Sequence, residues 1–490
     1  MDLKTQKSVD QLSINTIRTL SMDVVQAANS GHPGTPMALA PVVYCLWQRL
    51  LRYDPEDPIW PNRDRFVLSV GHASMLLYSM VHLTGVKSVD PDYEVLGEPS
   101  VTLEDIKNFR QLDSKCPGHP EYRWTAGVET TTDPLGQGVA TSVGMAIAGE
   151  WMASYFNRPG FEMFDYDVYT LCGDGDLMEG ISGEAASLAG HLELSNLCWI
   201  YDNNRITIEG NTSLAFSEDV ATRFIGWNVT RVGDANDLEM LERAFQVFKN
   251  TYDRPTLIVM DSHIAYGAPS KQDTSGAHGE PLGEDEIRET KRVYGWPEDA
   301  KFLVPEEVVT NFRDDMGKRG HDLREVWMVK LEDYRRQYPE LAVRPGIGRR
   351  EGRLRPGRRG RRGAGGPVAG DRQRGAPMPR RLRAAHGRRD KSPRGKHAFV
   401  GDLRATEQGV PRERHPRRRH RARFGGAGFH AWLEEVCRIG RADHRHEDLR
   451  GFGAAEGAAR EVRLYPPGCG ARGDGAALQG REERMRRWRP

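Results

Sequence analysis

The segment YTLCGDGDLMEG, residues 169–180, sets Asp174, Asp176 and Glu179 among three glycines directly behind an apolar run. Carboxylates at the end of a buried strand form either a solvated turn or part of a metal site that grips phosphates. Gly173 and Gly175 leave the backbone around Asp174 open to close approach by a ligand. Twenty-seven residues separate this GDG from Asn203 and Asn204, which follow a second apolar run, LCWIYD. Mg²⁺ and Ca²⁺ take carboxylate, amide, carbonyl and phosphate oxygens. Asp174, Asn204 and the carbonyl of Ile206 could supply the protein's share. Either peptide alone reads equally well as a loop tip, since GDG and NN are common turn peptides. The pair, each behind an apolar strand, favours the metal.

Four histidines lie beside glycine at loop or strand ends: His32 in SGHPG, His72 in SVGHAS, His119 in CPGHPE and His278 in SGAHGEPLG. One such histidine is ordinarily a surface or satisfied core residue. Four suggest imidazoles converging on one pocket, to donate to phosphate or to shuttle protons near neutral pH. TTDPLGQG, residues 131–138, is a glycine-rich loop that opens a helix, a geometry suited to backbone contact with a cofactor.

The elements that must position these residues follow one pattern. Residues 9–29 have helical apolar spacing, NSGHPGTP interrupts it, and MALAPVVYCLWQRLL resumes as a largely buried helix. RFVLSV, DVYTLC, LCWIYD and PTLIVMDS read as strands, each running into a glycine- or asparagine-rich turn or a histidine loop. Strands alternating with helices predict an α/β fold, a mostly parallel sheet with helices on both faces. Ligands of such sheets sit outside the carboxyl ends of the strands, where all these motifs fall.

Charge divides the chain of 490 residues in two. Residues 1–340 carry 31 Lys and Arg against 53 Asp and Glu, a net of −22. Residues 341–490 carry 39 against 16, a net of +23, and 37 of the 39 are arginine. The six cysteines (45, 116, 172, 198, 437 and 469) show no CxxC spacing, which argues for reduced, buried thiols over a disulfide framework or zinc site. The first residues lack the apolar core of a secretory signal, and no apolar run approaches the roughly 20 residues that span a bilayer. A soluble, cytoplasmic protein without membrane attachment is expected.

SGHPG, GHAS, PGHPE, PLGQG, GDGDLMEG followed by YDNNRITIEG, and HGEPLG stand in the order of the transketolase family, which the chain resembles over residues 8–340. The resemblance implies the diphosphate-binding domain of a thiamine diphosphate enzyme that moves a two-carbon ketol unit from a ketose phosphate to an aldose phosphate. It implies that Asp174, Asn204 and Ile206 hold Mg²⁺, or Ca²⁺ in its place. Gly173 and Leu135 would line the cofactor, and His72 and His278 would contact its diphosphate. His32, with His278, would face the reacting carbons, and His119 the donor sugar's hydroxyls. Glu179 would belong to an acidic network linking two active sites across a homodimer. Asp133 would also lie against the cofactor, but the family carries glycine there. A carboxylate at that point adds bulk and negative charge beside an anionic ligand.

The family continues into a pyrimidine-binding domain, with a glutamate that activates the aminopyrimidine, and then a third domain; neither is found after residue 341. Instead RPGIGRREGRLRPGRRGRRGAGG opens an Arg/Gly-rich stretch without hydrophobic period, for which disorder is expected. Its abrupt start fits translation of a GC-rich gene in a shifted frame. A natural basic arm that binds nucleic acid electrostatically is the rival reading. The domains expected are thus 1–340 and 341–490. Three functions stay open: a transketolase-like chain incomplete by itself, a non-catalytic cofactor-binding fragment, or the N-terminal subunit of a split enzyme with a separate pyrimidine-binding subunit.

Overall fold

The computed structural model describes residues 3–132 and 134–342. Five segments form one parallel sheet: β1 Arg65–Leu68, β2 Val168–Gly173, β3 Leu197–Asn203, β4 Asn228–Val232 and β5 Thr256–Asp261. Their order is β1-β2-β3-β5-β4. The central strands read as unbroken apolar runs because both faces are covered. Tyr169, Leu171, Cys198, Ile200, Ile258 and Met260 enter one core with α1 (Leu3–Ala28), α2 (Gly34–Arg49) and α3 (Ser74–Thr84). On the other face Trp199 Nε1 donates to Ser142 Oγ (3.0 Å) of α4, Gln137–Phe156, which packs beside α5, Gly180–His191. The α/β architecture expected from the strand and helix pattern is the one observed.

Two close approaches set the positions of the site loops. Pro41 lies inside α2 and has no N–H to give the Met37 carbonyl one turn back. Arg18 of α1 supplies that donor: its Nε reaches the Met37 oxygen at 2.9 Å, and its guanidinium lies 4.6 Å from the Tyr266 ring centre. At the start of α2, a Cβ on Gly34 would stand 2.4 Å from the Ala277 carbonyl oxygen. Only glycine lets the helix seat against the loop that carries His278.

After β4, the helix α6 (Leu238–Lys249) contributes Leu241, Phe245 and Phe248 to the main core. Then α7, Lys318–Gln337, closes the domain from outside. Arg319 donates to the carbonyls of Trp47 (2.8 Å), Gln48 (2.6 Å) and Leu51 (3.2 Å), which satisfies acceptors that α2 leaves open at its C-terminal end. Arg324 Nε adds an ion pair to Asp54 at 2.6 Å. A Cβ on Gly320 would stand 1.8 Å from the Tyr53 carbonyl oxygen, well inside van der Waals contact. Gly320→Ala should therefore destabilise the domain by about 3 kcal/mol, the upper range for overpacking a tight contact. Urea unfolding checks this, and an unchanged midpoint would show that α7 sits elsewhere.

Cys45, Cys116, Cys172 and Cys198 are buried free thiols, as their spacing led one to expect. Among the described residues, no helix is long and apolar enough to cross a membrane. Cys437 and Cys469, together with the disorder and the nucleic-acid reading of the tail from residue 343 onward, lie outside the described residues.

Candidate functional site

Four of the five strands run into turns or loops that carry residues singled out above. After β1 the chain turns through Ser69, Val70 and Gly71 to His72; β2 ends at Gly173, just before Asp174; β3 ends at Asn203, just before Asn204; β5 leads to the loop carrying His278. His32 arrives from the α1–α2 turn, where Gly31 takes a φ of +132°.

Three of the four histidines meet. The ring centres of His32 and His72 are 4.9 Å apart, those of His72 and His278 5.0 Å, and those of His32 and His278 5.5 Å. Burial lowers all three pKa values, and the neighbouring imidazoles add to it at His32 and His72. His32 is brought down to about 3. All three rings are neutral at pH 7, so each carries one N–H donor and one lone pair. The Nδ1 atoms of His32 and His278 are buried without a hydrogen-bond partner. His119 adjoins this trio: its backbone carbonyl accepts from Tyr78 Oη (3.2 Å), and it acts electrostatically on His32 and His72.

The acidic corner lies at the ends of β2 and β3. Asp174 is 5% exposed; its Oδ1 accepts from Tyr201 Oη and its Oδ2 from the Arg205 amide at 3.1 Å. Burial nevertheless raises its pKa. Asp202, also buried, is pushed up to about 7 by burial, while hydrogen bonds from Ser262 Oγ and Asn204 Nδ2 (2.8 Å) work the other way. Asn204 Oδ1 accepts from the Ile206 amide at 2.8 Å, so Asn204 and Ile206 form one tight turn with Arg205 at a φ of +62° between them. Asp174 and Asn204 are thus brought to one corner, joined through Arg205.

The glycine-rich loop packs on the same corner. Leu135 is 42% exposed and covers Gly175, where a Cβ would stand 3.2 Å from Leu135 Cδ2. Gly136 has a φ of +81°, and a Cβ there would stand 2.8 Å from that of Glu179. Glycine is required at 136 on both counts. Glu179 itself is exposed. Gly173 faces Val70 across the sheet end. Asp133 lies outside the described residues.

Sequence reasoning missed four contributors. Tyr201 and Asp202 sit inside the quoted YDNN stretch but look like ordinary strand residues. Arg110 adopts a φ of +62°, donates to Ser30 Oγ at 2.7 Å and lies on Gly118, placing a cation near His32. Asp176 is the fourth; the available signal was an acid three residues after Gly173, the pattern of a helix start.

The family model for the transketolase thiamine diphosphate binding domain matches residues 9–345. A transketolase of Halalkalibacterium halodurans is 48% identical over 338 residues, which cover 69% of this chain and 48% of that protein. A transketolase of Bacillus subtilis is 46% identical over 337 residues, 68% of this chain and 49% of that one. Among solved structures, Pichia stipitis transketolase in complex with sedoheptulose-7-phosphate superposes with a TM-score of 0.64 at 43% identity, over 68% of this chain and 48% of that one. The chain spans about half the length of the curated relatives it matches. With its motifs gathered at one end of a parallel sheet and its match to the domain model nearly 340 residues long, the chain belongs to the transketolase family and carries that family's thiamine diphosphate binding domain.

Proposed function

We propose that residues 1–340 hold thiamine diphosphate through a divalent cation, Mg²⁺ or Ca²⁺, bound by Asp174, Asn204 and the Ile206 carbonyl. The reading extends to ketol transfer between ketose and aldose phosphates in the cytoplasm. The observation that carries it is the acidic corner. Two buried carboxylates, Asp174 and Asp202, have raised pKa values, and their hydrogen bonds do not offset their burial. A cation among oxygen donors at that point would offset it, and would neutralise phosphates brought beside them.

The histidine trio supports the remaining roles. His72 and His278 would donate to the diphosphate, and Gly173 and Leu135 would line it. His32 and His278 offer their unpartnered Nδ1 atoms to the reacting end of a sugar, and His119 its ring to the donor's hydroxyls. When bound, thiamine diphosphate supplies the reactive carbon and the electron sink. The chain's own groups bind, orient and move protons at the histidine nitrogens. Glu179, exposed beside Gly136, is available to an acidic network across a homodimer or against a separate pyrimidine-binding subunit.

Calorimetric titration of the full chain with thiamine diphosphate, with and without Mg²⁺, tests this. Binding should appear only with the cation; equal affinity in a chelator would refute the metal bridge. The same titration on Asp133→Gly should show tighter binding. Contact-range repulsion between unit charges in water is about 1 kcal/mol, or about fivefold in affinity. The gain should shrink as salt rises. Unchanged affinity would mean that the Asp133 carboxylate does not bear on the diphosphate.

A further inference from the structure

Asp176 is fully buried, and all its hydrogen bonds run to segments that carry candidate site residues. Oδ1 accepts from Ser69 Oγ at 2.7 Å and from the Gly136 amide at 3.1 Å; Oδ2 accepts from the Gly173 amide at 3.0 Å. Ser69 Oγ in turn accepts from the Val139 amide at 3.0 Å, in the first turn of α4. Only the Gly173 contact is local, an acid reaching back over the start of the short helix Asp174–Met178. The other two span 107 and 40 residues of sequence.

We propose that Asp176 is a positioning residue for the cofactor site. It ties together the turn before His72, the loop carrying Leu135 and the strand end carrying Asp174. Its carboxylate touches none of the pocket's histidines and needs no contact with the cofactor. It acts through its donors. Gly136 adjoins Leu135, Gly173 adjoins Asp174, and Ser69 stands three residues before His72. Since the Gly136 and Gly173 amides are both engaged below the pocket, the diphosphate must draw its donors from other groups.

A carboxylate suits this place because it is an acceptor with two oxygens, and three donors point at it. Asparagine keeps the shape but turns an NH₂ towards one of those donors, which leaves a buried N–H or O–H without an acceptor. Charge-assisted bonds in a buried network are also the stronger kind, and a partly satisfied network is worse than none.

The inference rests on the cofactor reading above, and the test separates the two. On the full chain, thiamine diphosphate affinity is measured with Mg²⁺ by calorimetry. Amide exchange of peptides covering 69–73, 134–139 and 228–232 is followed by mass spectrometry without cofactor. Asp176→Asn should weaken binding at least tenfold. It should speed exchange at 69–73 and 134–139 at least tenfold while leaving 228–232 as in the parent. Affinity within twofold of the parent overturns the proposal. So does faster exchange spread evenly over the sheet, which would make Asp176 a general stability residue. If Asp176→Asn does not fold, Ser69→Ala serves: a threefold to tenfold loss of affinity with faster exchange at 134–139 supports the tether, and parent-like behaviour in both overturns it. A parent chain that binds no thiamine diphosphate sinks the underlying reading, and the positioning role with it.

Discussion

Asp174→Ala should reduce Mg²⁺-dependent thiamine diphosphate binding by about a thousandfold. A unit charge pair at 4 Å near a protein surface is worth about 4 kcal/mol, and alanine removes the only charged group in the proposed metal set. The diphosphate would then lie near Asp202 without a cation to neutralise it. The fold should persist. Burial raises the Asp174 pKa above its unfolded value, so the ionised form is a burden on the native state near pH 7. That burden vanishes as pH falls below the unfolded value and is full above the folded one. Alanine also takes an acceptor from Tyr201 Oη and the Arg205 amide. The apo variant's stability relative to the parent should therefore be most favourable at neutral pH and should fall in acid, where the burden is already relieved. Calorimetry and urea unfolding read the two effects separately. Retained Mg²⁺-dependent affinity in Asp174→Ala would mean that the cation, if any, sits elsewhere.

The second large effect concerns turnover. We predict that this chain alone converts xylulose 5-phosphate and ribose 5-phosphate at least about 10⁴-fold more slowly than a complete transketolase. General acid–base assistance contributes about 10²–10⁴-fold, and orientation can contribute as much again. The match to the family's domain model ends at residue 345. On the reading proposed above, the stretch after residue 340, with its 37 arginines, holds no counterpart of the carboxylate expected against the aminopyrimidine. The assay mixes chain, Mg²⁺, thiamine diphosphate and both sugars, then repeats with a separately supplied pyrimidine-binding half. Ordinary enzyme rates without that half would overturn the prediction, and rescue by it would favour a split enzyme.

How much of this was legible in the sequence depended on how local each signal was. Apolar runs ending in GHAS, GDGD and NN announced β1, β2 and β3 and the strand ends where the candidate site residues sit. PTLIVMDS announced β5. The edge strand β4, NVTRV, passed unread because it is half-exposed and alternates with polar residues. Glycine neighbours marked four histidines alike; His32, His72 and His278 are in ring contact, and His119 lies near enough to act electrostatically on His32 and His72. Asp176 escaped because its meaning lies in donors at 69, 136 and 173, and no sequence window holds all three. Arg18 escaped for the same reason: its partner, the carbonyl left open by Pro41, is on another helix.

The grip of Arg319 on α2 has a mechanical side. That helix is a 16-residue rod, roughly 24 Å long, and its two ends are held by different parts of the chain. At one end its carbonyls are pinned by the guanidinium at the start of α7. At the other, Gly34 bears directly on the Ala277 carbonyl, one residue before His278. Close-packed interiors transmit strain more readily than they absorb it. Because Arg319 and Ala277 bear on opposite ends of α2, a displacement at one end is passed along the rod to the other, so the seat of α7 and the placing of the His278 loop are mechanically joined.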